Sequence, residues 1–340
     1  MIGMGHVFRT MAVAEAARIR FDLQVLFARN DDRAVAEALL KNSFESFVLD
    51  DGPARARILG ETLSRYAPDG RALCITDSKE DLSAEILLMK ELGVPVLLLD
   101  NITPARFHAD VNIYPAAHFD FRGLGWNGYT GECLGGRDWV PLAQRFLRVR
   151  PGLRPVEKRE ALLVTMGGSD PNRLALRVMD SLRAFRSDVP IRVVLGFSCR
   201  FAEEVQSKNR ELGNRFTIIE QATNIEELMS DTGLAITALG TTIYELAYLG
   251  VPTIVMSNYR EDAIDERELE KLGCVVPLGF HANLSDADIR DSIDALWRNG
   301  EKRASMSKKG LEVIDGQGAK RIAEKAKGLI ARSGPSYQRQ

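Results

Sequence analysis

Met1-Ile-Gly-Met-Gly-His-Val-Phe-Arg9 places two glycines and a histidine directly ahead of Ala12-Val13-Ala14-Glu15-Ala16-Ala17, a run of strong helix formers. Gly3 and Gly5 let the backbone approach a ligand closely, and the mouth of the helix offers unpaired N–H groups to an anion. The same helix end disfavours an imidazolium, so His6 is expected as a neutral ring able to take a proton. Arg9, one turn on, is placed either to meet a phosphate or sugar or to form an ion pair within its own domain. The bland alternative is a Gly-rich strand-to-helix turn with an incidental histidine.

Two further constellations lie downstream. Ala161-Leu-Leu-Val-Thr-Met-Gly167-Gly168-Ser169-Asp170-Pro171-Asn172 reads as a strand ending in a glycine pair, followed by a helix beginning near Arg173. Paired glycines after a strand can build a concave nest of N–H groups for phosphate, with Asp170 as the helix cap. Leu234-Ala-Ile-Thr-Ala-Leu-Gly240-Thr241-Thr242-Ile-Tyr244-Glu245 reads as strand, turn and helix, closed by Gly250-Val-Pro252 and another strand. Thr241 or Thr242 can cap that helix and donate to a phosphate. Glu245, one turn inside, can accept two hydrogen bonds from a ribose diol, or simply favour its own helix dipole. A Walker loop and a Gly-x-Ser-x-Gly elbow are both missing, and Phe8 stands where a dinucleotide fingerprint needs its third glycine.

The elements that must position these residues alternate along the chain. Apolar runs at Leu23–Ala28, Ser46–Leu49, Ala72–Thr76 and Pro95–Leu99 read as buried strands, with helices at Ala34–Lys41, Ala54–Tyr66 and Ser83–Leu92 between them. The Pro- and Arg-rich segment 146–156 is the linker candidate. Strands then resume at Glu160–Met166, Arg192–Leu195, Phe216–Glu220, Leu234–Thr237, Thr253–Val255 and Cys274–Pro277. The expected architecture is α/β: two doubly wound, parallel-sheet, Rossmann-like domains, 1–150 and 151–332, with a polar tail at 333–340. Ligands are expected outside the carboxyl ends of the strands, in a cleft between the domains.

Composition narrows the class. The 340 residues are 45% hydrophobic and 27% charged, with a net charge of −2, so the basic footprint of a nucleic-acid binder is absent. The four cysteines, Cys74, Cys133, Cys199 and Cys274, are scattered without metal-ligand spacing, as in a reducing, cytoplasmic setting. No apolar run reaches membrane-spanning length, so no stable membrane insertion is expected. His108, His118 and His281 fall in loop-like sequence and read as surface imidazoles.

Taken together, Gly-x-Gly-His-x-x-Arg, Met-Gly-Gly-Ser-Asp and Gly-Thr-Thr-x-Tyr-Glu-Leu-x-x-x-Gly-x-Pro resemble the nucleotide-sugar hydrolase of the pseudaminic acid pathway. That enzyme belongs to a GT-B group that also holds spore-coat polysaccharide glycosyltransferase-like proteins and relatives of the lipid II-forming N-acetylglucosaminyltransferase. The likeness extends to Val313-Ile-Asp315-Gly316-Gln-Gly318-Ala-Lys-Arg321-Ile322, with weaker traces at Leu99-Asp100 and Leu134-Gly135-Gly136. The resemblance implies a GT-B fold in which the C-terminal domain holds UDP, with Gly167, Gly168, Ser169, Gly240, Thr241 and Thr242 around the diphosphate and Glu245 on the ribose. It further implies that His6 activates water at the anomeric carbon of a UDP-2,4-diacetamido-2,4,6-trideoxy sugar. UDP and an inverted free sugar would leave, with neither metal nor cofactor required.

The sequence departs from that pattern at three places. Family members carry a strand ahead of the Gly-x-Gly-His loop, where here only Met1 and Ile2 stand, so a strand encoded upstream is the expectation. Asp77-Ser78-Lys79 has a cation where the family often has an aromatic; Asp77 is still expected to face the substrate. Asn258-Tyr259 replaces an expected Asn-Gln step, leaving Asn258 as a candidate sugar or phosphate contact. Two other functions fit the same motifs: a GT-B glycosyltransferase using a related nucleotide sugar, and a nucleotide-sugar-binding protein without catalysis.

Overall fold

The computed structural model describes residues 4–49, 54–186 and 188–331, which divide into two compact units. The first contains α1 (Met4–Phe21) from His6 onward, β1 (Leu26–Arg29), α2 (Arg33–Lys41), β2 (Glu45–Val48), α3 (Arg55–Tyr66), β3 (Cys74–Asp77), α4 (Ser83–Glu91), β4 (Val96–Leu99), β5 (Val111–Tyr114) and β6 (Glu132–Gly135). The second runs through α5 (Gln144–Val149), β7 (Ala161–Thr165), α6 (Leu174–Ser181), β8 (Ile191–Leu195), α7 (Ala202–Glu211), β9 (Thr217–Glu220), α8 (Ile225–Ser230) and β10 (Thr232–Ala238). It continues with α9 (Thr242–Tyr248), β11 (Thr253–Ser257), α10 (Ala263–Glu270), β12 (Val275–Phe280), α11 (Asp286–Arg298) and α12 (Gly300–Val313). A closing helix, α13 (Gly318–Ile330), returns to the first unit.

In the second unit all six strands are parallel, in the order β12-β11-β10-β7-β8-β9. The chain winds outward from β7 through β8 to β9, then crosses to β10 and winds the other way. The reversal lies between β7 and β10, and the loops leaving their carboxyl ends are the ones carrying Gly167–Ser169 and Gly240–Thr242. Strand β7 is buried along its whole length, as its run of Ala, Leu, Leu, Val and Thr requires of a central parallel strand. Leu162, Val164, Leu234, Ile236 and Ile254 from the sheet pack with Val178, Met179, Ile289 and Ile293 from α6 and α11 in one core.

The first unit is also wholly parallel, but its strands form two separate sheets, β1-β2 and β3-β4-β5-β6. Strands β4 and β5 are fully buried, whereas every residue of β3 is only half-buried, as befits an edge. Helix α1 joins the two sheets through opposite faces: Val13 packs against Leu97, Leu99 and Ile113, while Met11 and Ala14 pack against Leu39 and Phe44. A cavity of ≈ 760 Å³ lies beside β2, lined by Phe44, Phe47, Ile58 and Tyr66 among others.

The expected domain limits shift in two respects. The boundary falls at 143/144, and α13 belongs with the first unit, although 151–332 was expected to form one domain. The reason is packing: Ile322 is buried in the core formed by Val13, Leu97 and Ile113. Arg321 donates to the Asp138 carbonyl at 2.8 Å, and any side chain at Gly318 would overlap the Val140 carbonyl. Among the described residues no helix is long and apolar enough to cross a membrane.

Candidate functional site

Helix α1 begins at Met4, so His6 lies in its first turn rather than in a loop before it; Gly3 lies outside the described residues. Asp77 closes β3 and Asp100 directly follows β4, so both emerge at the carboxyl ends of adjacent parallel strands. Asp100 holds φ at +52°, a left-handed conformation that aspartate tolerates better than most residues.

These residues form one charged cluster. His6 Nδ1 lies 2.5 Å from Asp77 Oδ1. Arg9 donates from Nη2 to Asp77 Oδ1 at 2.5 Å and from Nε to Oδ2 at 2.8 Å, and its Nη1 reaches Asp100 Oδ2 at 3.0 Å. Thr10 Oγ1 sits 3.2 Å from Asp77 Oδ2 and 2.8 Å from the His6 carbonyl. The Asp77 and Arg9 side chains are 3% and 6% exposed, whereas the His6 ring retains 16%.

Burial alone would raise the Asp77 carboxyl, but the bonds from His6 and Arg9 outweigh it and hold the group below the usual carboxylate range. Burial likewise works against the Arg9 charge, and Asp77 and Asp100 more than offset it, leaving the guanidinium above its ordinary value. The pair is therefore a buried, bidentate ion pair, the geometry in which Arg outperforms Lys. Asp77 was expected to face a substrate; its carboxylate is instead taken up by His6, Arg9 and Thr10. Arg9 takes the ion-pair alternative. None of the bonds in this cluster involves His108, His118 or His281.

The second unit gathers its glycine loops around the sheet reversal. Gly167 has φ +78°, and the Ser198 N–H donates to the Gly168 carbonyl at 3.0 Å. A Cβ at Gly196 would overlap the carbonyl oxygens of both Gly167 and Gly168, so only glycine fits there. Asp170 accepts from the backbone N–H groups of Leu174 and Ala175 at 2.8 and 2.9 Å and so caps α6, which begins at Leu174. Ser169 stands between that cap and the glycine pair, half-buried.

Thr241 immediately precedes α9, but its side chain makes no capping bond; the turn is closed by the Gly240 and Thr241 carbonyls, which accept from Ile243 and Tyr244. Thr242 opens the helix, and a Cβ at Gly240 would meet nothing within 4 Å. Glu245 lies in the first turn of α9, where burial pushes its carboxyl up to about 7, Arg145 opposing and Glu226 reinforcing the shift. Arg145 and Glu226 pair with each other at 3.6 Å. Asn258, just after β11, accepts from Asn172 at 3.0 Å, tying its loop to the one after β7.

The sequence did not signal Thr10 or Asn172 as site-region residues. Asn172 closes the Met-Gly-Gly-Ser-Asp-Pro-Asn run, yet its partner is 86 positions away, and only the sheet order brings the two together.

No protein-family model matches the chain. It is 24% identical over 341 residues to the spore coat polysaccharide biosynthesis protein SpsG of Bacillus subtilis, a match covering 94% of this chain and 93% of that protein. It is 25% identical over 264 residues to an uncharacterized protein of Methanocaldococcus jannaschii, spanning 75% of this chain but only about half (53%) of that relative. Among solved structures, MurG of Acinetobacter baumannii superposes with a TM-score of 0.64 at 15% identity, over 95% of this chain and 96% of that one. Anabaena HepE in complex with UDP-glucose gives 0.63 at 14% identity, over 96% of each chain. The fold is GT-B-like. At these identities the structural likeness speaks to fold alone, and it agrees with two Rossmann-like units built on parallel sheets.

Proposed function

We propose that the chain acts on a UDP-activated sugar and hydrolyses its anomeric C–O bond, with a diacetamido-trideoxy sugar as the substrate class and His6 as the base. The observation that carries this reading is the His6 ring itself: it is a partly exposed basic group set against the buried Asp77–Arg9 ion pair at the carboxyl end of the sheet. Water attacks the anomeric carbon, its proton passes to His6, and the C–O bond to UDP breaks with the electron pair leaving on the β-phosphate oxygen. UDP is already a good leaving group, so one base and a site for the growing negative charge suffice.

For that site we assign the loops of the second unit: Gly167, Gly168, Ser169, Gly240, Thr241 and Thr242 around the diphosphate, Glu245 on the ribose and Asn258 beside them. Their place at the reversal of a doubly wound sheet supports the assignment. So does the structural likeness to HepE, a protein solved with UDP-glucose.

A second reading, transfer of the sugar to an acceptor, is favoured by the similarity to SpsG, whose name places it in polysaccharide biosynthesis. In that case His6 takes its proton from an acceptor hydroxyl instead of water. NMR-monitored incubation with UDP-2,4-diacetamido-2,4,6-trideoxyaltrose, with chelator and without acceptor, separates the readings. UDP and an inverted free sugar are expected. Release that begins only when an acceptor is added supports transfer, and binding with no release under either condition supports a non-catalytic nucleotide-sugar-binding protein.

A further inference from the structure

Strand β4 ends at Leu99, and Asp100 after it turns through a left-handed conformation that most side chains avoid. Hydrogen bonds hold the turn on both sides. The Asp100 N–H donates to the Ile113 carbonyl at 2.9 Å, which ties the residue to β5. The next side chain, Asn101, is buried; its Nδ2 donates to the Ser78 and Glu80 carbonyls, and its Oδ1 accepts from the Thr103 N–H and hydroxyl. The Asn101 carbonyl in turn accepts from the Tyr114 hydroxyl at 2.7 Å. Asp100 therefore stands on a fixed backbone, yet its side chain is 28% exposed, far more than that of Asp77 on the neighbouring strand.

One guanidinium links this carboxylate to the histidine. Arg9 Nη1 donates to Asp100 Oδ2 at 3.0 Å, while Nη2 of the same group stands 3.1 Å from His6 Nδ1. The other Asp100 oxygen, Oδ1, takes no hydrogen bond from a described residue. We propose that Asp100 is a sugar-binding residue: its Oδ1 accepts a hydrogen bond from an O–H or N–H group on the ring whose anomeric carbon faces His6. This inference rests on the reading of His6 as the base and deepens it by naming a residue that holds the sugar there. Charge decides what Oδ1 can take. A carboxylate accepts hydrogen bonds and repels a diphosphate, so its partner is a neutral donor. A 2,4-diacetamido-2,4,6-trideoxyhexose offers donors of that kind, N–H at C2 and C4 and O–H at C3. The fixed backbone and the bond from Arg9 leave Asp100 little freedom to lose when the sugar binds.

The test compares calorimetric affinities for sugar nucleotide and for UDP in the full chain carrying His6→Ala, which suppresses turnover. Asp100→Asn is added to that background. Asparagine tolerates the left-handed backbone as aspartate does, and its amide oxygen can keep the bond from Arg9, so the NH2 group turns to where Oδ1 stood. A donor then meets a donor. UDP-2,4-diacetamido-2,4,6-trideoxyaltrose is expected to lose about 10–100-fold in affinity relative to UDP. An unchanged ratio of the two affinities overturns the proposal. Equal weakening of both ligands also overturns it, and makes Asp100 a structural partner of Arg9. If Asp100→Asn does not fold, Asp100→Gly, which accepts the same backbone conformation, is read on the same ratio.

UDP-N-acetylglucosamine and UDP-glucose, put through the same comparison, locate the donor. A loss confined to the acetamido sugars assigns it to an amide N–H, and a loss with all three assigns it to a ring hydroxyl. The proposal and the reading beneath it fail separately. A protein that binds UDP but none of the three sugar nucleotides removes the sugar reading and the proposal with it. Sugar nucleotides that bind in a ratio untouched by Asp100→Asn remove the proposal alone.

Discussion

Asn172 and Asn258 join the loop after β7 to the loop after β11: the Asn172 side-chain amide donates to Asn258 Oδ1 at 3.0 Å and to the Asn258 carbonyl at 3.1 Å. The tie spans the sheet reversal, since β10 lies between those two strands. It fixes the spacing of two of the loops assigned to UDP.

Asn172→Ala removes both bonds. A neutral hydrogen bond contributes about 1 kcal/mol net, so UDP affinity is expected to fall roughly fivefold. Calorimetric titration with UDP checks this. An unchanged affinity would take the Asn258 loop out of the nucleotide site.

Two glycines of the same region are expected to fail in different ways. Gly196→Ala drives a Cβ into the Gly167 and Gly168 carbonyls and should lower Tm by several degrees. A methyl at Gly240 meets nothing within 4 Å, so Gly240→Ala should leave Tm unchanged while weakening UDP binding. Thermal unfolding with and without UDP separates the two effects. Equal UDP stabilisation of Gly240→Ala and wild type would argue against Gly240 as a phosphate contact.

Much of this second unit can be read from the sequence, because a central parallel strand must be a short apolar run and the turn after it must carry glycine. Strand β7, Ala161–Thr165, falls within the expected Glu160–Met166, and α6 begins at Leu174, one residue after the expected start near Arg173. The first unit is less legible. Strand β5 escapes notice because its second residue, Asn112, breaks the apolar run; the side chain is buried, and its Nδ2 donates to the Arg106 carbonyl and the Tyr129 hydroxyl, a pairing invisible locally. The return of α13 depends on Ile322 meeting Val13, more than three hundred positions earlier. His6 and Asp77 can each be singled out in the sequence, but the bond between them cannot, since it spans 71 positions.

The raised Glu245 carboxyl has a definite signature in stability. Its proton is held up to about pH 7 in the folded state, against an ordinary value of 4.5. The native state therefore binds more protons than the unfolded state between those values, and this group's contribution to stability falls as pH rises from about 4.5 to about 7. Glu245→Gln should flatten that part of the curve and be the more stable protein at pH 8, as denaturant unfolding across the range would reveal. Glu245→Ala should weaken UDP binding; an unaltered affinity would contradict the ribose assignment.

The edge position of β3 predicts uneven protection. Strand β4, buried at Val96–Leu99 and bonded on both sides, should exchange its amides far more slowly than β3, which is half-buried and bonded only to β4 among the described residues. Leu97→Ala is expected to cost about 2–5 kcal/mol and Ile75→Ala clearly less. Hydrogen exchange of peptides covering 73–78 and 95–100 makes the comparison directly, and equal protection would mean that β3 is an interior strand in solution.

His6 is tested as the base by a paired measurement on His6→Ala: turnover of UDP-2,4-diacetamido-2,4,6-trideoxyaltrose and calorimetric affinity for UDP. A base acts in the chemical step alone, so the rate should fall about 10²–10⁴-fold while UDP binds as in the wild type. Turnover at the wild-type rate would remove His6 from the chemistry.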